Sequence, residues 1–146
     1  MSDSATPSKR RQTALAVIDA YNEWSIDAIM ALRSDDCVQC ILPKSLGRPE
    51  MTNEAYRAYF GAMIPLFTDF KVEIKDVFED AAANKVVIWA TSTASTPVGP
   101  YANEYTLMLY FNEDGSRVVR FNEFVDSANS VTFFPKLREY VAKQGK

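Results

Sequence analysis

The chain has 146 residues, 47% of them apolar and 24% charged, which fits one domain large enough to bury a real core. A net charge of −3 and a pI near 5.0 remove the electrostatic case for nucleic acid or an anionic membrane as partner. No apolar run nears the roughly 20 residues of a membrane span, and with no histidine any acid–base work falls to carboxylates, tyrosines, arginines or thiols.

Residues 1–8 read as a short flexible lead without the apolar segment of a signal peptide, so the expectation is a cytoplasmic protein with a single domain over 9–146. A first helix is predicted over Lys9–Trp24, its buried stripe made by Ala14, Val17, Ile18 and Tyr21. Ser25 caps a second, short helix running through Arg33, which falls one turn beyond Ile29 on the apolar face. There Arg33 either snorkels or enters a pocket. Asp35–Leu42 reads as a strand containing Cys37, Gln39 and Cys40. The C-x-x-C spacing invites a metal or redox reading, yet zinc would lack further sulfur or nitrogen ligands, and residues three apart on a strand face opposite ways. Two buried structural thiols and no metal site are expected.

Pro43–Met51 is a loop carrying Gly47 and Pro49, with Lys44 and Arg48 expected in solvent. A third helix starts at Thr52 or Asn53 and runs to Phe67 unless Pro65 ends it. Tyr56, Tyr59, Phe60, Met63, Ile64 and Phe67 form its aromatic stripe, mainly core, with upper members able to floor a pocket. Strands follow over Phe70–Phe78, Lys85–Thr96, Gly99–Phe111 and Val118–Asp126, and a closing helix from about Val131. The third of these strands puts Tyr101, Asn103, Tyr105, Leu107, Leu109 and Phe111 on one face. That face is apolar at one end and carries two phenols and an amide at the other, as the wall of a pocket would. In the next strand Glu123 interrupts the apolar row Val119, Phe121, Val125, while Asp126, of opposite parity, caps the turn into the last helix.

Helices first and then antiparallel hairpins imply an α+β fold, a curved antiparallel sheet with helices packed on its concave side and a pocket at the open end of the cone. Glu123 is either a general base or acid with its pKa raised by apolar surroundings, or a core carboxylate neutralised by Arg33. Tyr105 and Tyr101 are candidate hydroxyl donors, Asn103 a donor to a carbonyl, and Gln39, Tyr56, Phe60 and Phe121 candidate substrate contacts. The outward row Thr106, Met108, Tyr110, with Phe124, is too apolar for a bare sheet face and predicts a homodimer.

The element order and the segments Ala-Tyr-Asn-Glu-Trp, Ile-Leu-Pro-Lys-Ser-Leu-Gly, Gly-Pro-Tyr-Ala-Asn-Glu-Tyr and Glu-Phe-Val-Asp-Ser resemble the SnoaL-like branch of the NTF2-like superfamily, over about residues 9–142. They are most similar to small fungal members of natural-product pathways: meroterpenoid isomerases, polyketide cyclases and an indole-alkaloid semipinacolase. The resemblance implies an NTF2-like cone that works without metal or organic cofactor, commonly as a dimer, on a small polycyclic substrate. It implies catalytic roles for Arg33, Tyr101, Tyr105 and Glu123. Relatives often carry a histidine in the first strand where this chain has Gln39. The implied activity is a cofactor-free isomerase or cyclase performing a semipinacol-type rearrangement of an alkaloid or terpenoid intermediate. Aldol cyclisation, dehydration and non-catalytic ligand binding remain open on the same residues.

Overall fold

The computed structural model describes residues 6–145. Residues 1–5 of the expected lead lie outside that range, and within it Ser8 is the N-cap of the first helix, its hydroxyl accepting from the Arg11 N–H. Helix α1 (Lys9–Glu23) buries Ala14, Val17, Ile18 and Tyr21 as its spacing requires. It ends at Trp24, held in the left-handed region at φ 55°, with its N–H donated to the Tyr21 carbonyl. A bulky residue is strained there, and the indole is fixed from both sides: it stacks on Phe70 at 4.0 Å and donates to the Ile64 carbonyl at 2.9 Å.

Helix α2 (Ile26–Met30) is shorter than its sequence stripe suggests. Ser25 caps it, but Leu32 already accepts the Val118 N–H, so the chain has joined the sheet by then. Arg33 is therefore the first residue of strand β1 (Arg33–Leu42) and not a helix residue. Helix α3 (Asn53–Met63) tightens into a 3-10 turn at Ile64–Leu66, where Pro65 has no N–H for an α-helical bond. Strands β2 (Thr68–Asp80), β3 (Lys85–Thr96), β4 (Gly99–Phe111) and β5 (Val118–Val125) follow. Helix α4 (Ser127–Gln144) begins four residues ahead of expectation because Asp126 caps it by accepting from the Asn129 N–H.

The five strands form one curved, unclosed sheet in the order β1-β5-β4-β3-β2. The expected antiparallel sheet needs one correction: β1 pairs with β5 in parallel. Three hairpins dictate the directions of β2 to β5, whereas β1 is joined through α3 to β2 at the far edge of the sheet, so no hairpin constrains its direction beside β5. The β1–β5 register breaks between Arg33 and Val38, and Cys37, Gln39 and Ile41 beyond the break share the buried face with Arg33. Cys37 and Cys40 are both buried and unbridged. The helices cover the sheet face that carries Ile88, Leu107, Leu109 and Phe121. The opposite face leaves Trp89 and Phe124 exposed at 44% and 45%. No helix among the described residues is long and apolar enough to cross a membrane.

Candidate active site

Between the sheet and the helices lies a cavity of about 270 Å³. Its walls are mostly aromatic, with Trp24 from the end of α1, Phe60 from α3, Phe67 and Phe70 before and within β2, and Phe134 from α4. The polar atoms come mainly from the rows singled out by alternation: Tyr101, Asn103 and Tyr105 on β4, and Glu123 on β5. Glu123 pairs in register with Leu107 on one side and Ile41 on the other, so its neighbours along the sheet are apolar.

Burial pushes the Glu123 carboxyl up from 4.5 to about 7. Three groups oppose the rise, in order the hydrogen bond from Gln39 and the positive charges of Arg33 and Arg48. The expected direct pair of Glu123 with Arg33 is not formed. Gln39 stands between them, donating from Nε2 to Glu123 Oε1 at 3.0 Å and accepting from the Arg33 guanidinium on Oε1 at 2.7 Å. Gln39 is fully buried and does not line the cavity, so its amide orients the carboxylate from behind the wall.

Arg33 also lies behind the wall, where direct substrate contact is closed to it. Its guanidinium carbon sits 4.3 Å from the centroid of Tyr56 and 5.3 Å from that of Phe121, the two rings that separate it from the cavity. It donates to the Tyr21 hydroxyl at 3.3 Å, and Tyr21 and Tyr56 share a 2.6 Å hydrogen bond. A guanidinium is less strongly hydrated than an ammonium, and two aromatic faces with three hydrogen-bond partners hold it here without a carboxylate.

The phenols of β4 are neutral donors. Burial raises both, Tyr101 to about 12 and Tyr105 well above its usual value. Their protons can be counted. Asn103 Nδ2 donates to the Tyr101 hydroxyl at 2.7 Å, and the buried Ser92 hydroxyl lies 2.6 Å from that of Tyr105, its one hydrogen-bond partner. With Ser92 donating, both phenol oxygens are supplied from outside the pair. One phenol proton then spans the 3.2 Å between Tyr101 and Tyr105, and the other is left for the cavity.

The site thus joins Glu123, Tyr105, Tyr101 and Asn103 with the predicted walls Tyr56, Phe60 and Phe121. It adds residues that sequence reasoning placed elsewhere or passed over. Arg48, expected in solvent, is half-buried with its guanidinium 4.9 Å from the Tyr59 ring, and both line the cavity. Arg138 of α4 lines it too, and its signal was legible as the fourth member of the helical face Val131, Phe134, Pro135, Arg138. No group of three or more His, Cys, Asp or Glu among the described residues is placed to hold a metal.

Comparison with known proteins places this geometry. A curated relative of Aspergillus aculeatus named monooxygenase AacuP is 36% identical over 127 residues, 87% of this chain and 88% of the relative. The core atranone cluster protein 11 of Stachybotrys chlorohalonatus is 38% identical over 129 residues, 88% of this chain and 96% of its own. The crystal structure of the BvnE pinacolase from Penicillium brevicompactum superposes with a TM-score of 0.86 at 27% identity, covering 91% of this chain and 96% of that one. The structure of PrhC from Penicillium brasilianum gives 0.83 at 27%, covering 93% and 90%. Residues 14–121 match the SnoaL-like domain, and the chain belongs to that family, with the mixed α+β cone of NTF2-like proteins and relatives from fungal secondary-metabolite clusters.

Proposed function

We propose that this protein is an isomerase or cyclase of secondary metabolism that rearranges a polycyclic substrate by acid–base chemistry. The observation that carries the reading is Glu123: a carboxyl with a pKa of about 7 in an apolar cavity, aimed by Gln39 and sharing the cavity with the Tyr101–Tyr105 hydroxyl pair. A base poised near neutrality is what proton abstraction at physiological pH requires. The pinacolase among the structural neighbours supports a semipinacol step. In that step Glu123 takes a hydroxyl proton, and the O–H electron pair left on that oxygen forms the carbonyl. The adjacent C–C bond migrates with its pair to a neighbouring carbon, whose bond to oxygen breaks, and that oxygen takes its hydrogen bond or proton from Tyr105 or Tyr101. No oxidant enters, and the close walls fix which face receives the migrating group.

Arg33 and Gln39 are positioning residues in this scheme. Arg33 holds the Glu123 pKa down through space, so Arg33→Met is expected to move the rising limb of kcat/KM to higher pH. Arg33→Lys, which keeps the charge, should leave that limb near its wild-type position. A limb unmoved in the Met variant would show that the buried guanidinium has no electrostatic hold on the base.

The relatives named monooxygenase favour a second reading. Glu123 could deprotonate an activated methylene, and the resulting carbanion could reduce dioxygen. The methylene would become a carbonyl, with the second oxygen atom leaving as water. Incubation under nitrogen separates the two, using the intermediate that accumulates when the gene is deleted. The expected product has the mass of the substrate and forms equally without air; a product of changed mass that forms only in air would replace the isomerase reading.

We also propose assembly as a homodimer through the outer sheet face, where Met108 and Tyr110 are half-buried and Trp89 and Phe124 are exposed. Light scattering at micromolar concentration should give about 33 kDa, twice the 16.4 kDa of the chain, and 16.4 kDa would overturn it.

A further inference from the structure

Besides Glu123, the charged groups lining the cavity are Arg48 and Arg138. They come from separate elements, Arg48 from the loop after β1 and Arg138 from α4, and their exposure places them toward the solvent end. Neither is paired with a carboxylate among the described residues. The acidic neighbours that could have served are engaged elsewhere: Glu50, two residues from Arg48, pairs with Arg120, and Glu139, beside Arg138, lies 3.9 Å from Lys143. The Arg48 guanidinium carbon lies 4.9 Å from the Tyr59 ring centroid, and its five N–H donors exceed what one phenol can take, which leaves donors for a ligand. Both arginines act on the same phenol: burial pushes Tyr59 up, and a hydrogen bond and the charge of Arg48, with the charge of Arg138, pull against that rise.

Two guanidiniums without carboxylate partners among the described residues thus stand at the end of an aromatic cavity, in a protein of net charge −3. Resting on the isomerase or cyclase reading, we propose that Arg48 and Arg138 form an oxyanion clamp for the carboxylate or ionised enol of an otherwise apolar substrate, holding that end near solvent while the rest reaches Glu123. Planar N–H forks suit the paired oxygens of either anion, and charge-assisted bonds are about twice as strong as neutral ones. The substrate class is thereby narrowed from polycycles in general to acidic ones.

The test measures binding by calorimetry at pH 8 with three probes: 2-naphthoate, its neutral amide 2-naphthamide, and 2-acetylindane-1,3-dione as an ionised enol. At least one anion is expected to bind about tenfold or more tightly than the amide, and the better anion identifies which oxyanion the clamp takes. In Arg48→Gln/Arg138→Gln the preference should fall to about twofold or less with the melting temperature unchanged. Independently of any variant, about 0.5 M NaCl should weaken anion binding to the wild type and leave the amide unaffected. Equal binding of amide and anions, no binding of either anion at millimolar concentration, a preference that survives the double substitution, or salt-independent anion binding would each overturn the clamp. Glu123→Gln, expected to be inactive, should keep the anion preference. An active Glu123→Gln protein with the preference intact would end the acid–base reading and spare the clamp; an inactive one without it would do the reverse.

Discussion

Glu123→Gln is expected to lower turnover by about 10² to 10⁴ while leaving substrate affinity nearly unchanged, because the loss falls on a proton acceptor needed in the transition state. The substitution keeps size and shape, and the amide carbonyl at position 123 can still accept from Gln39. At alkaline pH the variant should be at least as stable as the wild type. The Glu123 pKa is higher in the folded protein, about 7, than its ordinary 4.5, so the folded state favours the protonated form. Its stabilising contribution is complete below about pH 4.5 and is lost as pH rises through 7, a difference of roughly 3 kcal/mol at most. A glutamine has no such proton to lose, and the variant should melt no lower than wild type at pH 8. Had Glu123 been the direct counter-ion of Arg33, the same change would strand a buried cation at a cost of about 3–5 kcal/mol. Melting temperature and product formation on one sample decide the matter: a folded, fully active protein would end the base assignment. In the wild type, kcat/KM should climb with pH through a pKa near 7, the limb on which the Arg33 substitutions are read.

Tyr105→Phe carries the second-largest expected effect. Removing a preorganised donor to developing negative charge costs about 10² to 10³ in kcat, and here the donor sits inside a bonded chain, between Tyr101 and Ser92. Without the Tyr105 hydroxyl, Ser92 loses its one hydrogen-bond partner and Tyr101 keeps only Asn103. Ser92 is 2% exposed, so its unpaired hydroxyl should also lower stability by about 1–3 kcal/mol. Tyr101→Phe leaves the Ser92–Tyr105 bond intact and should cost less in both measures. Full kcat in Tyr105→Phe would remove the phenol pair from the mechanism; equal losses in the two variants would mean that the phenols act as one unit.

Alternation along residues 101–111 and the carboxylate in the row Val119, Phe121, Val125 were enough to bring Tyr101, Asn103, Tyr105 and Glu123 to one cavity. Period-two patterns survive because each residue's face is a local property of the strand. Arg33 was misplaced because a five-residue helix and the first residues of a strand present the same short apolar spacing; only the Leu32–Val118 hydrogen bond shows where the helix has given way. The same spacing explains why the intervening role of Gln39 was out of reach. That role depends on β1 lying parallel to β5, a pairing between segments far apart in the chain. Arg48 looked solvated because its partner Tyr59 belongs to another element and nothing in Gly47-Arg48-Pro49 points to it.

The strained residue at the end of α1 has a practical consequence. The chain has two tryptophans, and the fold sends them to opposite sides of the sheet: Trp24 into the cavity wall against Phe70, Trp89 to the outer face beside Glu104. A ligand entering the cavity changes the surroundings of one indole, and a second subunit on the sheet changes those of the other. Native emission therefore carries two separable signals, a half-buried chromophore in the cavity wall that reports occupancy and an exposed one that reports association. Replacing Trp89 by Phe isolates the first without touching the cavity, so filling of the pocket can be followed with no label attached.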